Sequence, residues 1–529
     1  MNYNFEMASL PILTVLEQCQ VSPPPATVDG RSLPLTFFDI LFLHPIFNTP
    51  AHQVFFYDFQ LITKAHFIQT ILPNLNHSLS LTLQHFFPFA GKLVVFPTLT
   101  KKPEIRYVDG DSVPVTFAEC SLDFDDLTGN HPRGCEKFYH LIPLHLGESV
   151  KVFDHVKIPL LSIQVTLFPN RGISIGLTNR DGFRTFFKRW HHLTIKNIYK
   201  KNFEKSLLFQ NIYGGTRQID TMASNLTVAR ATVCPSLAPS MLTNHHILGD
   251  ARTRFCFLKA WTSIARSGTD ESFLANGTLP VYDRLVNYPK LDESYLKFAN
   301  VETVNHEEYR PKTLSRPTDK VRATFVLTRT TINRLKKQVS TDLPTLAYVS
   351  SFTVACGYIW SCIAGSRNDE RELLTFAVDC RARLDPPIPA AYFGNCVRGC
   401  RMMEKASLLT GKEGFMAAVK LIGENLHKML TDKDGIVKDV DQLFGDLFAN
   451  GMPTTVVAVA GTPKVELYDL DFGWGKPRKH ELISIDFSNS ISLSSCKESN
   501  EDLEIGVVLS AIEMEAFIRM FHDGLEAYL

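Results

Sequence analysis

The sequence predicts an α/β protein, and two observations lead to this fold class. β-type and helical stretches alternate along the 529 residues, as they do where helices cover a sheet. Apolar residues make up 45% of the chain and charged residues 21%, a balance typical of folded globular proteins. A chain of this length can fill the cores of two or three domains.

The first part of the chain predicts one long helix and several strands. Apolar residues recur at helical spacing over residues 65–86, which predicts a helix that ends before Pro88. A strand, Lys92–Phe96, follows it. Two further β-type runs, Leu161–Phe168 and Gly172–Thr178, are separated by a short polar turn and predict a hairpin. The second run is apolar on both faces, so we expect it at the centre of a sheet.

The second part begins with a stretch that has weak periodicity. Residues 268–318 are rich in Pro, Gly, Asp and Asn, so we expect a long crossover between two domains. The elements predicted beyond it are the strand Arg322–Leu327, a helix start at Ile332–Gln338, the helix Tyr348–Ala364, the strands Leu373–Cys380 and Val456–Ala460, and the helix Ser510–Tyr528. The last helix is expected to bury one face, formed by Ile512, Phe517, Met520 and Phe521.

Charge and composition argue against several classes of protein. The chain has 55 Lys and Arg and 55 Asp and Glu, so its formal net charge is zero. Binding to nucleic acids or membrane surfaces favours an excess of basic residues, so neither partner is indicated. No run of eighteen apolar residues occurs, so no transmembrane helix is expected. Residues 1–10 lack the basic start of a signal peptide, and the 11 cysteines show no metal-type pairing. We therefore expect a cytoplasmic protein in a reducing setting.

The first candidate site is an H-x-x-x-D pattern that runs from His246 to Asp250. Such a pair arises often by chance, and its plainest interpretation is a solvated histidine before a helix-capping aspartate. The functional interpretation rests on context: the pattern lies at a polar turn between a β-type run and a helix, where a histidine can reach a ligand cleft. The adjacent His245 is a second candidate.

The second candidate is Asp471-Phe472-Gly473-Trp474-Gly475, five specified residues in a row. Glycines on both sides of a tryptophan predict a tight backbone path that directs a large ring sideways. The alternative is a purely structural loop. It is favoured for Asp471, whose charge we expect to pair with a buried arginine.

Together these patterns resemble the motifs of the BAHD acyltransferases of plants, and the resemblance covers nearly the whole chain. Phe86–Leu93 and Asp379–Leu384 are similar to two further motifs of that family. Tyr392–Cys396 resembles a motif of the branch that malonylates flavonoid and phenolic glucosides.

The resemblance implies a two-domain, chloramphenicol-acetyltransferase-like fold with a channel between residues 1–275 and residues 276–529. It implies transfer of an acyl group, malonyl by the last motif, from acyl-CoA to a hydroxyl of a phenolic or flavonoid glucoside. Acyl-CoA is a co-substrate; no permanent cofactor, metal, nucleic acid or membrane is implied, and a monomer is expected. Acetyl or aromatic acyl donors, and an inactive relative, are alternatives.

The same resemblance assigns roles around the histidine. His246 is expected to be the general base that takes the proton of the acceptor hydroxyl, while Asp250 points away from the cleft and pairs with Arg381. A malonyl donor brings a free carboxylate, which an arginine fork binds bidentately. Arg252 is the candidate for this contact, and an ordinary surface arginine is the equal alternative.

The tryptophan loop is expected to lie at the CoA tunnel. By the resemblance, Trp474 lines the tunnel, with Gly473 and Gly475 on either side of it. Asp471, like Arg381, is expected to support the structure of the site rather than to touch substrate.

One segment departs from the family pattern, which runs from the strand directly into the histidines. Here residues 180–244 intervene, with ten Lys or Arg against three Asp or Glu, and 464 residues remain without them. A retained intron or mobile element, a decayed tandem copy and a lid are the open interpretations. Its last residues repeat the Leu-Thr-Asn before it, so we expect Leu242–Asn244 to be able to replace Leu177–Asn179 at the strand end.

A metal-dependent hydrolase that uses His245, His246 and Asp250 is a further alternative. Adjacent histidines point apart in most backbones, and the sequence offers no further set of ligands. Acyl transfer, which needs no metal, is therefore preferred.

Overall fold

The computed structural model describes residues 11–44, 51–96, 101–143, 149–179, 247–299, 317–367, 369–432, 436–437, 455–487 and 490–526. His245, His246 and residues 180–244 lie outside these ranges. Within the described ranges the strands form three sheets.

The first sheet has six strands and holds the predicted hairpin. In spatial order they are β1 (Leu13–Val21), β6 (Val113–Cys120), β10 (Leu161–Phe168), β11 (Gly172–Asn179), β3 (Ala51–Asp58) and β16 (Lys479–Leu482). β10 and β11 pair antiparallel, and every residue of both strands is buried. β11 lies between β10 and β3, so its expected central position is confirmed.

The second sheet has seven strands. In spatial order they are β14 (Val397–Lys405), β13 (Arg371–Asp379), β15 (Thr455–Ala460), β17 (Ile491–Ser495), β18 (Leu503–Ser510), β12 (Lys320–Leu327) and β7 (Arg133–Gly134). β7 belongs to the N-terminal half of the chain, whereas β16 of the first sheet belongs to the C-terminal half. Each half therefore gives an edge strand to the sheet of the other.

The third sheet is small, and the helices lie outside the sheets. The strands of this sheet are β2 (Arg31–Pro34), β5 (Glu104–Tyr107), β4 (Lys92–Val95), β9 (Val156–Pro159) and β8 (Val150–Lys151). The described α-helices are α1 (Phe37–Ile40), α2 (Lys64–His66), α3 (Leu72–His85), α4 (Phe124–Thr128), α5 (Ala251–Ser267), α6 (Glu271–Asn276), α7 (Pro289–Ala299), α8 (Arg329–Asp342), α9 (Ser351–Ser366), α10 (Gly411–Thr431) and α11 (Ala511–Glu526). None of these is long and apolar enough to cross a membrane.

The exchanged edge strands are joined by buried charges. Arg133 of β7 donates from Nη1 to Oε1 of Glu481 on β16 at 2.8 Å, and both side chains are almost fully buried. Arg322 of β12 lies 3.6 Å from the other oxygen of Glu481. Burial alone would raise the pKa of Glu481, but the charges of Arg133, Arg322 and Lys479 outweigh it and lower the pKa to about 2. These charges therefore tie the first sheet to the second.

Two large hydrophobic cores accompany the sheets. One contains residues from Val21 to Phe472, so both halves of the chain contribute to it. The other is built only from residues between Ala323 and Phe521.

Most of the predicted elements are confirmed. Helical backbone runs from Lys64 to His85 through a π-helical turn, Phe67–Ile71, and ends before Pro88 as expected. Four predicted strands are present, near residues 92 (β4), 322 (β12), 373 (β13) and 456 (β15). Two predicted helices are also present, near residues 332 (α8) and 348 (α9).

Two expectations are wrong in part. The crossover predicted over residues 268–318 contains α6 and α7, because Phe273 and Tyr295 are buried in the first core; residues 300–316 lie outside the described ranges. On α11, Phe517 and Phe521 are buried as expected, but Ile512 is 82% exposed and Met520 39%. Met514, at the right helical spacing, completes the buried face instead.

Candidate active site

The turn that follows the two histidines is buried. Ile247 and Leu248 belong to the first core, as does Leu177 near the end of β11. Gly249 has φ +123°, and a Cβ on it would lie 2.6 Å from Cγ2 of Thr253, so both the conformation and the space require glycine. His245 and His246 themselves lie outside the described residues.

Asp250 is the N-cap of α5 and is 2% exposed. Its Oδ1 accepts a hydrogen bond from the Thr253 backbone N at 3.2 Å, and its Oδ2 accepts one from the Cys396 backbone N at 3.1 Å. The ion pair expected from the sequence is present: Arg381 donates from Nη1 to Oδ2 at 2.7 Å and from Nη2 to Oδ1 at 3.1 Å. This is the bidentate geometry that suits a buried guanidinium and carboxylate.

Arg381 connects Asp250 to two other segments. Its Nη2 also donates to the carbonyls of Tyr392, at 3.2 Å, and Gly394, at 3.1 Å. Burial alone would lower the pKa of Arg381, but the Asp250 carboxylate outweighs it and the pKa is raised. Gly394 in turn accepts from Oγ1 of Thr253 at 3.0 Å. Segments distant in sequence thus converge on the turn behind the histidines.

Arg252 is largely exposed and lies near a carboxylate. Its side chain is 44% exposed, and its Nε lies 3.6 Å from Oδ2 of Asp379. Arg254, two residues further along α5, is partly buried, and burial lowers its pKa to about 10 despite the nearby Asp250. It makes no ion pair or hydrogen bond with the described part of the chain. Sequence reasoning missed it, although it lies one helical turn beyond Asp250 and so on a similar face.

The tryptophan loop is held by its own aspartate. Oδ1 of Asp471 accepts from the backbone N of Gly473 at 2.7 Å and of Gly475 at 2.9 Å. Both glycines have positive φ, +97° and +91°. The expectation that Asp471 pairs with a buried arginine is wrong, because Arg266, the arginine near it, is 60% exposed and 3.9 Å away. The Asp471 carboxylate accepts two backbone hydrogen bonds within the loop instead.

Trp474 is partly buried in an aromatic cluster. Its ring lies 5.4 Å from that of Phe472 and 5.5 Å from that of Tyr57 on β3, measured between centroids. Phe472 meets Trp261 of α5 edge-on at 5.0 Å, and the Tyr57 hydroxyl donates to the Leu470 carbonyl at 2.9 Å. The loop therefore packs on the sheet and the helix that hold the histidine turn. In the described ranges no three His, Cys, Asp or Glu side chains are grouped as metal ligands would be.

Comparisons with known proteins agree with this architecture. A model described as the Transferase family matches residues 12–211 and 216–523. The chain is 47% identical over 532 residues to malonyl-coenzyme A:anthocyanin 3-O-glucoside-6''-O-malonyltransferase of Dahlia pinnata, covering 98% of this chain and 99% of that protein. It is 36% identical to phenolic glucoside malonyltransferase 1 of Nicotiana tabacum, with 97% and 99% covered.

Solved structures show the same fold at low sequence identity. Vinorine synthase is similar with a TM-score of 0.57 and 18% identity, over 95% of this chain and 96% of that one. TRI101 of F. graminearum, without ligand, is similar with a TM-score of 0.51 and 12% identity, over 92% and 96%. The expected chloramphenicol-acetyltransferase-like α/β fold is thereby confirmed.

Proposed function

Because the chain belongs to the Transferase family, the BAHD acyl-CoA-dependent acyltransferases, we propose that it transfers malonyl from malonyl-CoA to a sugar hydroxyl of a phenolic or flavonoid glucoside. The relatives named above carry malonyl transfer to glucosides in their names. The observation that carries the proposal is the fixed turn after the histidines, in which Asp250, Arg381 and the Cys396 backbone are joined.

His246 is the general base of the proposed reaction. A neutral imidazole, whose ordinary pKa is about 6.5, takes the proton of the acceptor hydroxyl as that oxygen attacks the thioester carbonyl. The tetrahedral intermediate then expels the CoA thiolate, which receives the proton from the imidazolium. The new bond is the ester C–O bond and the broken one is the thioester C–S bond. Holding both substrates together supplies a large part of the acceleration.

Asp250 is a positioning residue in this proposal. Its oxygens accept from Arg381, the Cys396 backbone and the Thr253 backbone, four hydrogen bonds in all. A carboxylate so occupied is poorly placed to relay a proton from the imidazole. It holds the turn that carries His246.

The donor carboxylate is proposed to meet an arginine at the start of α5. Arg252 remains the candidate from the sequence, but it is half exposed and faces Asp379. Arg254 is better supported, because a desolvated guanidinium without a described carboxylate partner gains most from an incoming anion. Trp474 and its flanking Gly473 and Gly475 are proposed to line the path of CoA.

Residues 180–244, which lie outside the described residues, are proposed to leave the site intact. β11 keeps its register with β3 through Asn179, and the chain returns at Ile247 in the same core. Leu177–Asn179 form the end of β11, so the described strand does not need Leu242–Asn244, which lie outside the described residues, at this place. The family match is interrupted between residues 211 and 216, inside this segment.

A cytoplasmic, monomeric enzyme with residues 1–275 and 276–529 as its two domains completes the proposal. The ten cysteines in the described ranges form no disulfide, which supports a reducing compartment.

The test is an acyl-transfer assay with malonyl-, acetyl- and coumaroyl-CoA and an anthocyanidin 3-glucoside or a simple phenolic glucoside. We expect malonyl-CoA to give the highest kcat/KM. His246→Ala should lower kcat roughly 10²–10⁴-fold, the usual contribution of a general base, and His245→Ala, one residue away, is the matched control. If His245→Ala showed a loss of this size and His246→Ala did not, the general base would be His245. If the wild type gave no product with any donor, the inactive relative would be favoured.

A pair of variants tests the donor carboxylate. Arg252→Ala and Arg254→Ala are each compared with malonyl-CoA and with acetyl-CoA, which lacks the carboxylate. The arginine that binds it should lose about 10–100-fold in kcat/KM with malonyl-CoA and little with acetyl-CoA, because a hydrogen bond to a charged group is worth about 1.5–3 kcal/mol. Equal losses with both donors would remove the arginine from this role.

A further inference from the structure

The segment Tyr392–Cys396, which resembles a motif of the malonylating branch, is buried at every residue. Tyr392 and Phe393 are each 1% exposed, and Asn395 and Cys396 are 0% exposed. A motif that recognised the acyl donor would have to present side chains to the ligand cleft. These side chains leave almost no surface for a substrate, so the motif needs another explanation.

The backbone of the same segment is occupied by protein partners. Each backbone N–H from Tyr392 to Cys396 donates to an oxygen of the chain. In order, the acceptors are the carbonyls of Pro389 and Val281, Oγ1 of Thr253, Oδ1 of Asp39 and Oδ2 of Asp250. Successive backbone N–H groups are what a loop offers to an anion. Within this described segment they are all used for other bonds, which argues against direct recognition of the donor carboxylate.

Asn395 is held by a buried carboxylate of α1. Asp39 is 1% exposed, and its Oδ1 accepts from the backbone N of Asn395 at 3.0 Å and from the side-chain Nδ2 at 2.7 Å. Its Oδ2 accepts from the backbone N of Thr36 at 3.0 Å and from Oγ1 at 2.9 Å. Hydrogen bonds to an ionised acceptor are about twice as strong as neutral ones. Asn395 is therefore fixed firmly on the start of α1.

The α1 helix is itself anchored to a second helix. The backbone N of Phe37 donates to Oδ1 of Asp292 on α7 at 2.7 Å. Asp292 is 2% exposed and pairs with Lys102. A continuous series of hydrogen bonds thus runs from α7 through α1 to Asn395.

The next residue carries this series to the candidate active site. The backbone N of Cys396 donates to Oδ2 of Asp250 at 3.1 Å. Because peptide units are planar, only the torsions of Asn395 separate its side chain from the Cys396 N–H, and the position of one limits the other. Two buried carboxylates from different helices, Asp39 and Asp250, therefore accept from adjacent residues.

We propose that Asn395, held by Asp39, is a positioning residue for the acyl transfer. It places the Cys396 N–H against Asp250 and so fixes the turn Ile247–Asp250 that follows the histidines. The Tyr392–Cys396 segment then contributes to the rate of the reaction rather than to the choice of donor. This inference rests on the proposed function, because it assigns a role within that reaction.

The first test is the kinetics of Asn395→Ala, which removes the side-chain bond to Asp39 and keeps the backbone N. We expect kcat to fall roughly 10–100-fold with both malonyl-CoA and acetyl-CoA, because a misplacement of about 1 Å can cost about 10²-fold. The KM values for donor and glucoside should stay within about twofold, since the binding surfaces are unchanged. Asp39→Asn, which keeps the shape but weakens the acceptor, should show the same pattern at smaller size.

Tyr358→Phe is the matched control for a loss of stability alone. It removes a buried hydrogen bond, from the Tyr358 hydroxyl to the Phe521 carbonyl at 2.6 Å, within the second core. It should lower the melting temperature and leave kcat unchanged. The proposal is overturned if Asn395→Ala loses no more kcat than this control. It is also overturned if Asn395→Ala raises KM for malonyl-CoA but not acetyl-CoA with kcat unchanged, which would place Asn395 in donor recognition.

Hydrogen exchange followed by mass spectrometry tests the positioning without turnover. In Asn395→Ala, amides of residues 247–253 should exchange faster than in the wild type, together with those of residues 392–396, because the two segments open together. Tyr358→Phe should leave both unchanged. Faster exchange confined to residues 392–396 would show that Asn395 does not hold the turn. If the wild type transferred no acyl group, the proposed malonyl transfer would fail, whereas the exchange result would still decide whether Asn395 holds the turn.

Discussion

Replacing Asp250 with asparagine keeps the shape of the side chain but removes the charge that Arg381 binds. Both residues are buried, at 2% and 3% exposed, so the guanidinium would be left without its bidentate partner. Breaking a buried pair by removing one partner costs about 3–5 kcal/mol. The amide oxygen can still cap α5, so we expect a loss near the lower limit, about 3 kcal/mol of unfolding free energy.

Asp379→Asn is the matched control, because Asp379 contacts the same Arg381, at 3.3 Å, but is 42% exposed. A solvent-screened pair of this kind is worth less than about 1 kcal/mol. Urea unfolding followed by circular dichroism gives the difference from the midpoints and the m-values. If the two variants lose the same free energy, the buried pair is not the support that we infer. Malonyl transfer should fall in Asp250→Asn and be nearly unchanged in Asp379→Asn.

Three further predictions concern the rest of the fold. Gly475→Ala should lower the free energy of unfolding by about 1–2 kcal/mol, because the φ of Gly475 is +91° and disfavours a residue with a Cβ. No atom lies within 4 Å of the added Cβ, so crowding does not contribute, and Gly110→Ala, with φ +87° and equal space, is the control. A melting curve like that of the wild type would refute this prediction. The pKa of Glu481 is lowered to about 2, so its carboxylate stabilises the fold at pH values above its ordinary pKa of 4.5, and this contribution is lost as the pH falls from about 4.5 towards 2. Glu481→Gln should therefore be less stable than the wild type at pH 7 but should lose less stability between pH 4.5 and pH 2. Parallel profiles of stability against pH for the two proteins would contradict this prediction. Deleting residues 180–244 should leave the urea midpoint and malonyl transfer unchanged or improved, whereas a loss of both would make the segment part of the fold.

The local pattern of the sequence was enough to predict most of the elements. The hairpin of β10 and β11 follows from two apolar runs separated by a polar turn, and the end of the helix at His85 follows from Pro88. These features depend on neighbours in the chain. The H-x-x-x-D and tryptophan-loop patterns, through their resemblance to a family, also predicted the pairing of Asp250 with Arg381.

Contacts between distant segments were decided only by the tertiary structure. The exchange of β7 and β16 depends on buried ion pairs such as that of Arg133 with Glu481, 348 residues apart. Arg252 and Arg254 look alike in sequence, and only the packing of α5 leaves one exposed and the other desolvated. Sequence determines which side chains are available and what each short segment prefers, whereas burial and the identity of a charged partner depend on which segments the fold brings together.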